Sequence, residues 1–158
     1  MNSKLIKPLL FTILVVVLTV YSVIANASSF SKDYFYGVDI TSIYDGDTFS
    51  IETEIWPQHF IRTNIRMYGI DTPEMTWRGK CQKEKDLGLA AREFLVKFID
   101  NASYNKIPMT ITRISHDKYN KRFVAKLFVG NKDVSKMMID SGHAVEYYGK
   151  GTKKDWCL

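Results

Sequence analysis

Beyond an uncharged apolar run at residues 9–24, the hydrophobic positions of this chain change period several times. Residues 36–44, 48–55 and 60–68 are rich in β-branched and aromatic side chains and predict three strands. In the third, Ile61, Thr63, Ile65 and Met67 alternate with Phe60, Arg62, Asn64 and Arg66. One face is therefore expected to look into a core, and Arg66 away from it. Trp56-Pro57-Gln58-His59 predicts the hairpin turn between the second and third strands, because proline fixes a turn and lacks the N–H of a central ladder. Residues 69–85 carry Gly, Pro and many charges and predict a loop. The period then becomes helical. Leu87, Ala91, Phe94, Leu95 and Phe98 share one face of a helix over 86–100, with Gly88 tolerable in its first turn. Strands at 107–114 and 123–129 flank a turn at 116–121. A short helix follows between the N-cap Asp133 and the C′ residue Gly142, with Val134, Met137 and Met138 inward. An extended piece at 144–148 leads into a loose basic tail, 149–158.

Three strands, a helix, two strands and a helix make an α+β domain that is mainly β, over residues 36–148. Five strands with a helix between the third and fourth is the order of an OB-fold barrel, whose face binds oligonucleotides. At 158 residues the chain has room for one such core and not for two.

The N-terminal run changes the picture of location. Lys4 and Lys7 precede it and Ala25-Asn26-Ala27 ends it, the pattern of a secretory signal cut after Ala27, with a leader at 28–35. An uncleaved membrane anchor over 9–25 is the other reading. The expected destination is secreted or periplasmic. Residues 28–158 keep a formal net charge of +3 of the whole chain's +5, which permits nucleic-acid binding without demanding it. Cys81 and Cys157 both lie beyond the signal, and an oxidising compartment favours a bridge between them over two free thiols. His59, His116 and His143 share no catalytic or ligand spacing with each other or with the cysteines, which argues against zinc and histidine chemistry.

Two acidic knots carry the candidate chemistry: Asp45-Gly46-Asp47-Thr48 before the second strand and Asp71-Thr72-Pro73-Glu74 after the third. Taken alone, the first knot reads as a turn and the second as the start of a loop. Converging, their oxygens suit a hard cation. Arg66 lies five residues before Asp71, and a guanidinium can hold two phosphoryl oxygens as charge builds on them. A cation, two arginines and a carboxylate base suffice for phosphodiester hydrolysis, and Arg122 is the candidate second arginine.

In their order and separations, Asp45-Gly46-Asp47-Thr48, Arg66-Met67-Tyr68-Gly69-Ile70-Asp71-Thr72-Pro73-Glu74 and Asp117-Lys118-Tyr119 resemble the staphylococcal nuclease family, over about residues 36–148. The resemblance implies a calcium-dependent endonuclease acting on DNA or RNA and leaving 3′-phosphate ends. It implies calcium on the side chains of Asp47 and Asp71 and the carbonyl of Thr72, with Asp45 touching the ion through water. Glu74 becomes the general base, Arg66 and Arg122 the phosphate clamps, and Tyr147 and Tyr148 the aromatic residues near the nucleotide. The family's turn runs Asp-Lys-Tyr-Gly-Arg, whereas Asn120 and Lys121 precede Arg122 here. Arg122 rather than Lys121 keeps Ala125 at its family distance. No protein partner is implied, so a monomer is expected. The alternative is a silent barrel that holds single-stranded nucleic acid without cutting it; all five catalytic and acidic positions are kept, which favours the enzyme.

Overall fold

The structure of the protein is a computed structural model that describes residues 36–117 and 122–158. The predicted signal 1–27, the predicted leader 28–35 and residues 118–121 of the predicted turn, Lys121 among them, lie outside the described residues.

The first predicted strand is two short ones, β1 (Tyr36–Gly37) and β2 (Asp39–Ile43), broken at Val38. The hairpin strands β3 (Thr48–Trp56) and β4 (His59–Met67) come next, then the short β5 (Ile70–Asp71) and helix α1 (Gln82–Tyr104). The chain continues through β6 (Met109–His116), β7 (Phe123–Val129), β8 (Lys132–Asp133), helix α2 (Val134–Asp140) and β9 (Val145–Glu146). The main sheet runs β1-β6-β7-β4-β3-β2, so β1 and β2 sit at opposite ends of the order yet are neighbours in sequence. The sheet must therefore curl until its two edges meet at Val38, whose N–H donates to the carbonyl of Met109 at 3.0 Å. That curl, with β4 and β7 paired in parallel, is the OB-fold expected from the element order.

The core is filled by Phe49 and Ile51 of β3, Ile65 and Met67 of β4, Ala125 and Leu127 of β7, Leu95 of α1 and Met138 of α2. Each fully buried large side chain of this kind contributes about 1.5–3 kcal/mol. The alternation of β4 holds only at its C-terminal end. Ile61 is exposed and Thr63 half-buried, with exposed Ile55, Trp56 and Phe60 beside them. The β3–β4 hairpin is longer than the barrel is tall and runs past it, closing at Pro57-Gln58 with Gln58 at a φ of 65°.

Helix α1 starts four residues before its predicted start and ends four after it. Cys81 caps it, its Sγ accepting the N–H of Glu84, and the buried stripe runs on from Leu95 through Ile99 to Ala102. Leu87 lies outside that stripe and is exposed. Gly88 stands in the helix's second turn, not its first, and has a packing reason: a Cβ there would meet the carbonyl oxygen of Pro73 at 2.8 Å. The loop carrying Glu74 can lie against α1 only because Gly88 has no side chain. Helix α2 keeps its predicted caps, Asp133 accepting the N–H of Lys136 and Gly142 at a φ of 75°.

The tail is not loose. Cys81 and Cys157 are joined by a disulfide, with their Cα atoms 6.1 Å apart. Trp156 is only 6% exposed. The sequence shows a basic run here, but the apolar anchor and the bridge pack it against the start of α1.

Candidate active site

The first acidic knot is the turn between β2 and β3. Asp45 accepts the N–H of Asp47 at 3.0 Å, the local bond by which aspartate shapes a turn. Gly46 lets this turn press onto its neighbours, since a Cβ would lie 2.9 Å from both Ala91 Cβ and Thr72 Cγ2. The second knot begins on Asp71, the last residue of β5, which is held by β9 through the Asp71–Val145 pair. The two knots therefore touch through Gly46 and Thr72. The N–H of Met67 donates to the carbonyl of Asp47 at 2.7 Å and fixes the first knot beside β4.

Arg66 joins the acids. Its Nη1 donates to Asp47 Oδ1 at 2.9 Å, while its Nη2 lies 2.8 Å from Asp47 Oδ2 and 3.2 Å from Asp71 Oδ1. Two carboxylate oxygens on one nitrogen are at most about 6 Å apart. Burial is costly for these groups. It pushes the Asp47 carboxyl up to about 7, against the opposing pull of Arg66, with the nearby Asp45 carboxylate adding to the rise. Burial also works against the charge of Arg66, but Asp47 and Asp71 outweigh it and raise its pKa. One arginine thus leaves Asp47 short of positive charge, which is the environment a further cation would relieve.

The Asp47 shift sets a pH dependence. A carboxyl whose folded pKa is raised binds its proton more tightly when folded, so it opposes folding increasingly from its ordinary 3.8 up to about 7. In chelator, Asp47→Asn is expected to gain stability over the wild type as pH rises through that window. Urea unfolding at several pH values checks it; parallel curves for the two proteins would contradict it.

Glu74 is placed by α1. Glu84 is buried in the first turn of the helix, where its two oxygens accept the N–H of Lys80 at 2.7 Å and of Glu74 at 3.4 Å. A short 3₁₀ turn, Thr76–Arg78, then presents Trp77, which is 83% exposed. Glu74 and Trp77 line a cleft of about 590 Å³ with Asp45, Tyr44 and Arg122. They also line an adjoining cleft of about 500 Å³ with Asp71, Thr72 and Lys153. Arg122 pairs with Asp117 at 3.3 Å.

Residues 64–158 match the model of the staphylococcal nuclease homologue family. The chain belongs to that family. Among curated relatives, proteins named "Probable endonuclease LCL3" are 34% identical in Candida dubliniensis, 36% in Candida tropicalis and 35% in Candida albicans, each over 101 residues. Each match covers 58% of this chain and 40% of the relative, so the chain spans about two fifths of their length.

In this nuclease homologue the structure brings together Asp45, Asp47, Arg66, Asp71, Thr72 and Glu74, with Arg122 lining the same cleft as Glu74. Arg66 lies on the face of β4 opposite buried Ile65 and Met67, as its place on the strand suggested. It is half-buried, turned onto the two acids. Tyr147 is half-buried near Lys153, while Tyr148 lines a separate cavity of about 470 Å³ with Tyr68 and Arg113. Among the described residues no group of three or more His, Cys, Asp or Glu side chains is set to hold a metal ion. The oxygen-only set of Asp47, Asp71 and the Thr72 carbonyl still fits a hard cation that completes its shell with water or phosphate. Sequence reasoning missed Glu84, Trp77 and Lys153. Only Lys153 had a signal, since it lies four residues before a cysteine expected to bridge to the segment just after Glu74.

Proposed function

We propose that this protein is an exported, calcium-dependent nuclease that hydrolyses phosphodiester bonds in DNA or RNA. The observation that carries this reading is the meeting of two buried carboxylates, Arg66 and the Glu74–Arg122 cleft at one end of an OB barrel, in a member of this family. Calcium, when bound to Asp47, Asp71 and the Thr72 carbonyl, supplies positive charge beside the phosphoryl oxygens. Glu74 takes a proton from water as its oxygen bonds to phosphorus. The bond from phosphorus to the leaving 5′ oxygen then breaks, and that oxygen takes up a proton, leaving a 3′-phosphate. Arg66 and Arg122 donate to the non-bridging oxygens as their charge grows. The disulfide supports an oxidising destination, and the N-terminal segment supports export, by a cleaved signal or as an anchor.

Trp77 stands at the rim of the cleft that holds Glu74 and Arg122, with the Arg78 guanidinium 5.2 Å from its ring. An exposed indole beside a phosphate site suits stacking on an unpaired base. Trp77→Ala is expected to weaken binding of single-stranded oligonucleotides by about 1–3 kcal/mol. Its KM should rise with little change in kcat, and an unchanged KM would remove Trp77 from the substrate path. The reading as a whole is tested by incubating purified protein with single- and double-stranded DNA and RNA, in calcium and in chelator. Cleavage products in calcium support the enzyme. Strands bound but left whole in both conditions would instead identify a silent binding barrel.

A further inference from the structure

The tail carries a feature that calcium chemistry does not account for. Lys153 Nζ lies 2.7 Å from Asp71 Oδ1 and 3.6 Å from Glu74 Oε1. The same Asp71 oxygen is 3.2 Å from Arg66 Nη2, so it already faces two protein cations. An ion that took this oxygen would have to displace the ammonium or share the oxygen with it, at the cost of repulsion between cations.

Lys153 is not there by the chance meeting of a long side chain with an acid. Four residues later Cys157 is bonded to Cys81, the cap of α1, and Trp156 between them is buried. Lys83 Nζ donates to the backbone oxygen of Leu158, and the Cys157 N–H donates to Asp155 at 2.9 Å. The backbone of the tail is thus pinned beside the Glu74 loop, which holds the ammonium at a high effective concentration over Asp71. The Lys153 side chain itself is 45% exposed, so its flexible stem can swing out while its anchor stays.

We propose that Lys153 is a tethered counter-ion of the cation subsite, which competes with the divalent ion for Asp71 and sets the calcium concentration the protein requires. The inference rests on the calcium reading of Asp47 and Asp71 given above. A single ammonium is outcompeted by a doubly charged ion with several oxygen ligands and poorly by a monovalent one, so Lys153 also selects against sodium and potassium. At 3.6 Å from Glu74, the Lys153 ammonium lies beside the proposed base as well.

Calorimetric titration of the purified, metal-free protein with calcium tests this without reference to activity. Lys153→Met and Lys153→Gln are each expected to tighten calcium binding about tenfold, because a like charge has left the subsite. Lys153→Arg is expected to stay near the wild type, and the double variant Cys81→Ser/Cys157→Ser to shift the same way as Lys153→Met. A variant damaged in its folding would bind calcium more weakly, so a gain in affinity separates competition from a structural role. Equal or weaker binding by Lys153→Met and Lys153→Gln, with binding lost in Asp71→Asn, would overturn the tethered counter-ion and leave the calcium reading intact. No binding by wild type and the Lys153 variants alike, or binding that persists in Asp71→Asn, would overturn both.

Discussion

Asp71→Ala is expected to lose calcium binding and to lower the rate of phosphodiester cleavage by on the order of 10²–10³ or more. The expectation follows from how much converges on this one carboxylate. It is buried, it faces Arg66 at 3.2 Å and Lys153 at 2.7 Å, and it ends the strand whose pairing with β9 sets the second acidic knot. Without it Asp47 remains as the lone side-chain donor of the proposed ion site, and two cations are left facing each other. Asp71→Asn keeps the shape and removes the charge, so it is the cleaner comparison. Calcium titration and initial rates on one oligonucleotide, beside a circular dichroism spectrum that shows the barrel intact, measure the effect. Wild-type rates from a folded Asp71→Asn protein would remove this residue from the ion site.

The two arginines are expected to act alike on rate and to separate by stability. Each acts on charge that develops in the transition state, so Arg66→Ala and Arg122→Ala are each expected to lower kcat by on the order of 10²–10³ while KM changes less. Arg66 is also the shared partner of two buried carboxylates. Removing it strands Asp47, while Asp71 keeps Lys153 at 2.7 Å; the loss costs about 3–5 kcal/mol in chelator, and calcium is expected to restore part of it. Arg122 is more open to solvent and pairs with Asp117 at 3.3 Å, so its removal is expected to cost less stability than that of Arg66. Kinetics and urea unfolding of both variants, with and without calcium, check the split. A neutral Arg122→Ala beside a crippled Lys121→Ala would move the second clamp to Lys121.

Much of this was legible in the sequence. The acidic knots, the arginine five residues before Asp71 and the two cysteines are local patterns whose residue types announce their chemistry. The element order was legible for the same reason, because periods of two and of 3.6 residues are written in consecutive side chains. What escaped depends on contacts between distant segments. Period-two alternation at Ile61 and Thr63 cannot show that the hairpin outruns the barrel. Nothing near Val38 in the sequence says that one strand serves both edges of the sheet. The early start of α1 was hidden because its cap is a cysteine, a residue outside the usual capping set. Gly88 reads as a weak point until the Pro73 carbonyl is placed against it. Lys153 was one lysine in a basic run, and only the bridge at Cys157 puts it over Asp71.

The most direct test of the account is the cleavage rate of an end-labelled single-stranded oligonucleotide as calcium is withdrawn with a chelator and then restored in excess. Wild-type protein is expected to cut in calcium, stop in chelator and recover on restoration, with Asp71→Asn inactive throughout. Cleavage that continues undiminished in excess chelator, or that Asp71→Asn performs as well as the wild type, would contradict the account.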